Sequence, residues 1–272
     1  MLNYYLQEIS YQGVTQKEIE NSFREISKIL NDECSLDKFY RNSDFLCTSI
    51  NKRTTIYDIL YGENSHFDKD LLYRVVPYIR RRFQESYGPY QTIREFKEAI
   101  NKCETHFFLG AKFRNKKEYE IETYEDYSSN RRKTLINNIS SKNCTIFLPL
   151  LLKNVRLTPN GYAMFSTISR KKQVCETFVS LDKYVSQCMY DRNFNLDDIR
   201  DFGINISDES ESVHKNPKYS ALRSFYINKQ LNSQLCFFHI KIGDIRIYVY
   251  PDNINKNIYI PYIGSHLPTQ LF

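Results

Sequence analysis

Apolar positions recur at helical spacing early in the chain and in short alternating runs later. Thr15-Gln16-Lys17-Glu18 has the pattern of a capping box, and Ile19, Phe23, Ile26 and Leu30 follow three or four residues apart, which predicts a helix from about 16 to 30. Thr92-Ile93-Arg94-Glu95 repeats the signature ahead of Phe96 and Ile100, and Asp70 to Phe83 reads as a helix bent or restarted near Pro77. The first hundred residues are therefore expected to be mainly helical. From His106 the runs become β-prone: His106–Phe113, Glu118–Tyr124, Cys144–Leu152 and Gly161–Ile168 are expected to be strands of a central, mainly antiparallel sheet. The polar stretch Asp126–Thr134 between them is expected to be an exposed loop, and Leu181–Tyr190 a further helix.

Carboxylates crowd Asp197–Glu211, a segment best taken as a solvated link rather than a metal-binding cluster. The predicted organisation is an α+β domain over 1–196 with a helical first half, an acidic connector over 197–214, and a small antiparallel sheet over 215–272 packed on that domain. In this last part LRSFY (222–226), LCFFHIKIGDIRIYVY (235–250) and IYIPYI (258–263) are β-prone, with Gly243-Asp244 and Asp252–Asn257 supplying turns. They predict a meander of about four short strands.

Composition narrows the class. With 41% hydrophobic and 26% charged residues in 272, the chain should fold, and only 8 Gly and 8 Pro leave little room for flexible linkers. The 22 Tyr, 18 Phe and absent Trp accompany abundant Ile, Asn and Lys, as A+T-rich codons produce. Tyrosine number therefore counts for little as evidence of base stacking, and a low-GC bacterium, its phage or a large DNA virus is the implied source. Seven scattered cysteines without a C-x-x-C pair disfavour a disulfide framework or a zinc site, so no metal or other cofactor is expected. Met1–Ser10 lacks the features of a signal peptide and the apolar run Ile146–Leu152 is too short to span a bilayer, so a cytoplasmic protein without membrane contact is expected.

Charge is unevenly placed. Lys112 to Lys172 holds thirteen bases against five acids, a net of +8 where the whole chain carries +6, and from Lys215 onward seven bases face two acids. Arg80-Arg81-Arg82, Arg131-Arg132-Lys133 and Arg170-Lys171-Lys172 are the concentrated spots, fitted to nucleic-acid phosphates or, in the plainer reading, to ordinary solvated surfaces.

The pattern IKIGDIRIYVY, a polar turn and NIYIPYIGSH resembles the C-terminal sheet of the RelE/ParE toxin superfamily, in which a Gly-Asp-x-Arg hairpin and a final strand ending in Gly-His recur. The resemblance covers the last fifty or so residues, and this chain departs from it in the long N-terminal part and in Ser265 between Gly264 and His266. It implies an RNA-directed effector of a bacterial toxin or phage-defence system, with RNA preferred over DNA and a cognate inhibitor or complex partner. It also implies metal-independent cleavage by 2′-hydroxyl attack, assisted by Arg223, Lys241, Arg246 and His266; His239, on the adjacent strand, joins the candidates. Arg and Lys would stabilise charge building on phosphorus, and His can exchange a proton near neutral pH.

Each has a plainer reading: a turn ion pair with Asp244 for Arg246, edge-strand protection for Lys241, a half-buried hydrogen-bonding side chain for His239. Phosphate-loop, nucleophile-elbow, zincin and dinucleotide motifs do not occur, and Glu176 and Asp182-Lys183, the nearest approach to a metal-nuclease set, fall on or beside an expected helix. The alternative function is a non-catalytic nucleic-acid- or protein-binding subunit of a defence complex.

Overall fold

The computed structural model describes residues 2–32, 37–63, 65–85, 98 and 106–269; the Thr92–Glu95 signature and its expected helix lie outside them. The fold is of the mixed α+β class and divides into two compact units, Met1–Thr134 and Leu135–Phe272.

In the first unit the capping box forms as its sequence requires. Thr15 Oγ1 accepts from the Glu18 amide at 3.3 Å, the Glu18 carboxylate accepts from the Thr15 amide at 2.8 Å, and helix α1 (Gln16–Asn31) buries Ile19, Phe23, Ile26 and Leu30. The sheet of this unit is parallel, which corrects the mainly antiparallel central sheet. Strands β1 (Leu2–Leu6), β2 (Asp37–Arg41), β5 (Gln84–Glu85), β6 (His106–Leu109) and β7 (Glu120–Ile121) form a five-stranded parallel sheet in the order β5-β2-β1-β6-β7. Between β2 and β5 lie the small pair β3 (Ser49–Asn51) and β4 (Thr54–Thr55), helix α2 (Ile56–Tyr61), a wide π-turn (Leu71–Val75) and helix α3 (Val76–Arg82). The π-turn ends just before Pro77, where the chain was expected to bend or restart. A parallel strand buried on both faces lacks alternation, so LNYYL gives little strand signal although Tyr4 stacks between Phe39 and Phe107 at 5.1 and 5.4 Å.

Asp126–Thr134 is not a loop; it belongs to helix α4 (Tyr124–Asn137). Polar anchors replace the missing apolar stripe. Asp126 accepts from the amides of Glu122 and Thr123 at 3.0 Å each, Thr123 Oγ1 accepts from the Asp126 amide at 3.2 Å, and the Tyr127 hydroxyl donates to Asp37 at 2.8 Å.

The second unit carries the predicted meander. Strands β12 (Phe238–Ile242), β13 (Ile245–Asp252) and β14 (Asn257–Gly264) pair antiparallel across the two expected turns. The sheet is completed by β8 (Val155–Leu157), parallel to β14, and β9 (Ile206–Ser207), antiparallel to β12, in the order β8-β14-β13-β12-β9. Two expected strands are helices instead, α5 (Cys144–Leu151) and α6 (Pro159–Thr167), because a short apolar run does not distinguish a buried strand from a buried helix. The start of α6 was legible: Thr158 caps it, accepting from the Gly161 amide at 3.1 Å, with Pro159 behind. The helix expected at 181–190 forms as the end of α7 (Lys171–Tyr184) and a following π-turn. The region 197–214 is no solvated connector; it contributes α8 (Leu196–Asp201), β9 and the start of α9 (Glu211–Lys215), and buries Ile199, Ile204, Ile206, Glu209 and Val213. The segment expected as the meander's first strand pairs elsewhere: after α10 (Pro217–Ala221), β10 (Ser224–Asn228) and β11 (Asn232–Leu235) form a separate hairpin.

The helices pack on one face of the sheet through Phe165, Val174, Phe178, Ile240, Ile247 and Ile260. The β10–β11 hairpin packs on the other through Ile227, Phe225 and Tyr248. A methyl at Gly161 would run into the Ile260 carbonyl oxygen of β14, so the helix can approach only as glycine. Gly161→Ala is expected to destabilise the second unit by ~1–3 kcal/mol, the usual cost of overpacking against backbone, measured by urea denaturation.

Candidate nucleic-acid interface on the C-terminal sheet

Strand alternation sorts β12 and β13. Ile240, Ile242, Ile245 and Ile247 face the helices, which leaves His239, Lys241, Arg246 and Tyr248 on the opposite face. The two ends of that face have different chemistry.

At the inner end, beneath the hairpin, Arg223 is fully buried. It donates through Nε to Glu209 at 2.9 Å, and through Nη1 to the carbonyls of Tyr219 at 3.0 Å and Pro268 at 2.8 Å. Tyr248 donates to the same Glu209 oxygen at 2.5 Å. Burial works to raise the Glu209 carboxyl, and the hydrogen bonds from Tyr248 and Arg223 outweigh it, holding the group below the usual carboxylate range. Burial also lowers His239, more strongly than the Glu209 charge raises it. The imidazole therefore stays neutral at pH 7.

Ser207 Oγ lies 3.3 Å from His239 Nε2, and Glu209 Oε1 lies 4.0 Å from Nδ1. This spacing suggests a nucleophile relay, but 4.0 Å is beyond a hydrogen bond and the carboxylate is already held by Arg223 and Tyr248. The inner cluster is built to hold structure.

At the outer end Lys241 and Arg246 stand directly opposite one another across β12 and β13, both half-buried. Arg246 donates from Nη1 to the carbonyls of Gly243 at 2.8 Å and Ile245 at 3.2 Å, and its buried Nε makes no hydrogen bond among the described residues. Gly243 has φ +59°, and a Cβ there would collide with the Arg170 guanidinium, which lies against the turn 3.6 Å from Asp244. His266 is exposed just past β14, its ring perpendicular to that of His239 at 6.2 Å.

The sequence candidates are thus partly assembled. Lys241, Arg246 and Arg170 reach solvent on or around the outer end of the hairpin face, and His266 is exposed past β14 beside His239. Arg223 and His239 share the region but are buried, which corrects their assignment as groups that meet a phosphate: freeing Arg223 would strand Glu209. Lys171 is bonded to the Ile168 carbonyl and Lys172 is exposed in the same helical turn. Arg131 is not a free surface base; it donates to the Asp32 carbonyl at 3.0 Å and lies 3.8 Å from buried Asp37. Lys133 is paired with Glu118, Arg132 is half-buried beside it, and Arg80, Arg81 and Arg82 are exposed in the last turn of α3, where bases suit the helix dipole. Asp182 lies on α7 as expected; its carboxylate accepts from the amides of Lys153, Asn154 and Val155 at 2.9, 2.6 and 3.0 Å. Among the described residues no three His, Cys, Asp or Glu side chains are grouped to hold a metal ion, and no helix is long and apolar enough to cross a membrane.

Sequence reasoning missed Glu209 and Tyr248, the partners that fix Arg223. An acid inside a carboxylate-rich stretch carries no mark of burial. No family model matches the chain, no curated protein is significantly similar to it, and no solved structure matches it.

Two outcomes follow for the inner cluster. Arg223→Met is expected to destabilise the second unit by ~3–5 kcal/mol by leaving Glu209 without its charge partner, while Lys241→Ala stays within about 0.5 kcal/mol; chemical denaturation compares them. A His held below its unfolded pKa binds fewer protons folded than unfolded, so its stabilising effect is fully present above about pH 6.5 and is lost progressively as pH falls from there through the lower folded value. Wild type should therefore weaken between pH 7.5 and 5.5 by denaturation, and His239→Gln should flatten that slope.

Proposed function

We propose that the protein is an RNA-binding effector whose second unit grips the phosphate backbone at the outer end of the β12–β13 hairpin. The observation that carries this is the direct pairing of Lys241 with Arg246. Like charges opposite one another on neighbouring strands destabilise a sheet, and here no carboxylate bridges them among the described residues. A phosphate between them would relieve that repulsion and give the unbonded Arg246 Nε an acceptor. Arg170, Lys171 and Lys172 add positive charge at the start of α7, where the helix dipole disfavours it, close to the same turn through Arg170.

A second reading, metal-independent RNA cleavage, is favoured by exposed His266 on the same side of the sheet. It requires a charge stabiliser other than Arg223, and Lys241 and Arg246 are the groups available. The setting in a toxin or defence system, and a cognate inhibitor as partner, rest on the resemblance of IKIGDIRIYVY and IYIPYIGSH to the RelE/ParE sheet.

The test is fluorescence anisotropy with labelled single-stranded RNA across a salt series, followed by incubation with EDTA. The Lys241→Ala/Arg246→Ala variant is expected to bind more weakly and to lower the log–log salt slope by ~1.4, two contacts at about 0.7 each. An unchanged slope would remove the hairpin from the interface. RNA cutting in EDTA that is lost in His266→Ala would establish the enzymatic reading; binding without cutting would leave a binding subunit.

A further inference from the structure

We propose that the first unit carries a separate stacking platform for single-stranded nucleic acid, formed by Tyr57 and Tyr61 on α2 with Lys52 and Arg53 on the turn that leads into it. The short helix is held firmly. Asp58 accepts from the Thr55 amide and hydroxyl at 2.8 Å each, the Thr55 hydroxyl accepts from the Asp58 amide at 3.2 Å, and Ile56 and Leu60 are buried at 0% and 1% exposure. Burying the residues at i and i+4 fixes the rotation of the helix, so the next pair, Tyr57 and Tyr61, is directed to solvent. They are 54% and 43% exposed, with ring centroids 5.1 Å apart and planes 39° apart.

Nucleotide composition accounts for how many tyrosines the chain has. It does not account for two in ring contact on the outer side of one capped helix, whereas Tyr73, exposed at 73% in the same unit, has no ring against it among the described residues. Charge bears on what the pair would meet: Lys52 and Arg53 precede the helix and exposed Glu63 follows it. Lys52 and Arg53 are exposed at the tip between β3 and β4, and neither makes an ion pair among the described residues. Asp58, the acid between the two rings in sequence, has both its hydrogen bonds directed to Thr55, which also hold its carboxyl below the usual range. An aromatic pair on a helix that follows directly from a turn with two unpaired basic residues matches a strand that offers base faces and phosphates together. A duplex keeps its base faces stacked inside and would gain only the charge contact.

The experiment uses the full chain with single-stranded oligonucleotides containing 2-aminopurine, whose fluorescence reports stacking, and a duplex of the same sequence. Lys241→Ala/Arg246→Ala is the background, so that failure of this site and failure of the hairpin site are distinguishable. Tyr57→Ala/Tyr61→Ala is expected to abolish the fluorescence change and to weaken single-strand binding by about tenfold or more, with duplex affinity and salt slope unchanged. Tyr57→Phe/Tyr61→Phe should retain both. Lys52→Gln/Arg53→Gln should lower the salt slope by ~1.4 and leave the stacking signal at saturation intact. No 2-aminopurine response with this background, or alanine variants that bind single strands within about twofold of it, would overturn the proposal. Alanine variants that bind normally but lose a co-purifying protein would assign the tyrosines to a protein contact instead.

Discussion

One buried ion pair ties together several separate stretches of the second unit. Arg223 joins Glu209 of the segment before α9, the carbonyl end of α10 and the tail at Pro268, and it lies 5.9 Å from the ring of Tyr248 on the central strand. Each partner comes from a different stretch of chain, so the pair fixes how the hairpin and tail lie on the sheet. A buried pair need not outperform an apolar replacement, but removing one member strands the other in a medium that cannot solvate it. The arginine that a toxin-like reading would place on a phosphate is therefore committed to the fold.

That commitment separates the two ends of the sheet face. The inner end is neutralised: Glu209, Arg223 and Tyr248 satisfy one another, and His239 stays uncharged beside them. At the outer end Lys241 faces Arg246, with Arg170 at the turn beyond. Both ends use the same strands and the same alternation. Burial and the supply of carboxylates make one end structural and leave the other suited to an anion.

The first unit illustrates how little a strand order says about function. In chain order its parallel sheet runs third, second, first, fourth, fifth, the doubly wound arrangement whose ligand crevice opens between the first and fourth strands. Here the ends of those two strands are tied together. Gln7 donates to the Leu109 carbonyl at 2.8 Å, Ser10 Oγ donates to the Gln7 carbonyl at 2.6 Å and accepts from the Ala111 amide at 3.2 Å, and a methyl at Gly110 would strike Ser10.

Local code was legible and long-range burial was not. Thr15 to Leu30 states its own helix, because cap and stripe lie within one segment, and the meander is written in Gly243-Asp244 and the β-branched residues around it. Thr123-Tyr124-Glu125-Asp126 is an equally local cap, ahead of a polar helix. The parallel pairing of β1 with β2 and β6 could not be read, because its partners are more than thirty and a hundred residues away and buried strands carry no alternation. The sequence by itself determined where bases, caps and turns would lie and that Lys241 and Arg246 would flank a hairpin. Only the tertiary structure decided that Arg223 and Glu209 would meet out of water while Lys241 and Arg246 would face each other without a carboxylate. Charge is a property of residues, whereas its neutralisation depends on which distant residues the fold brings within hydrogen-bonding distance.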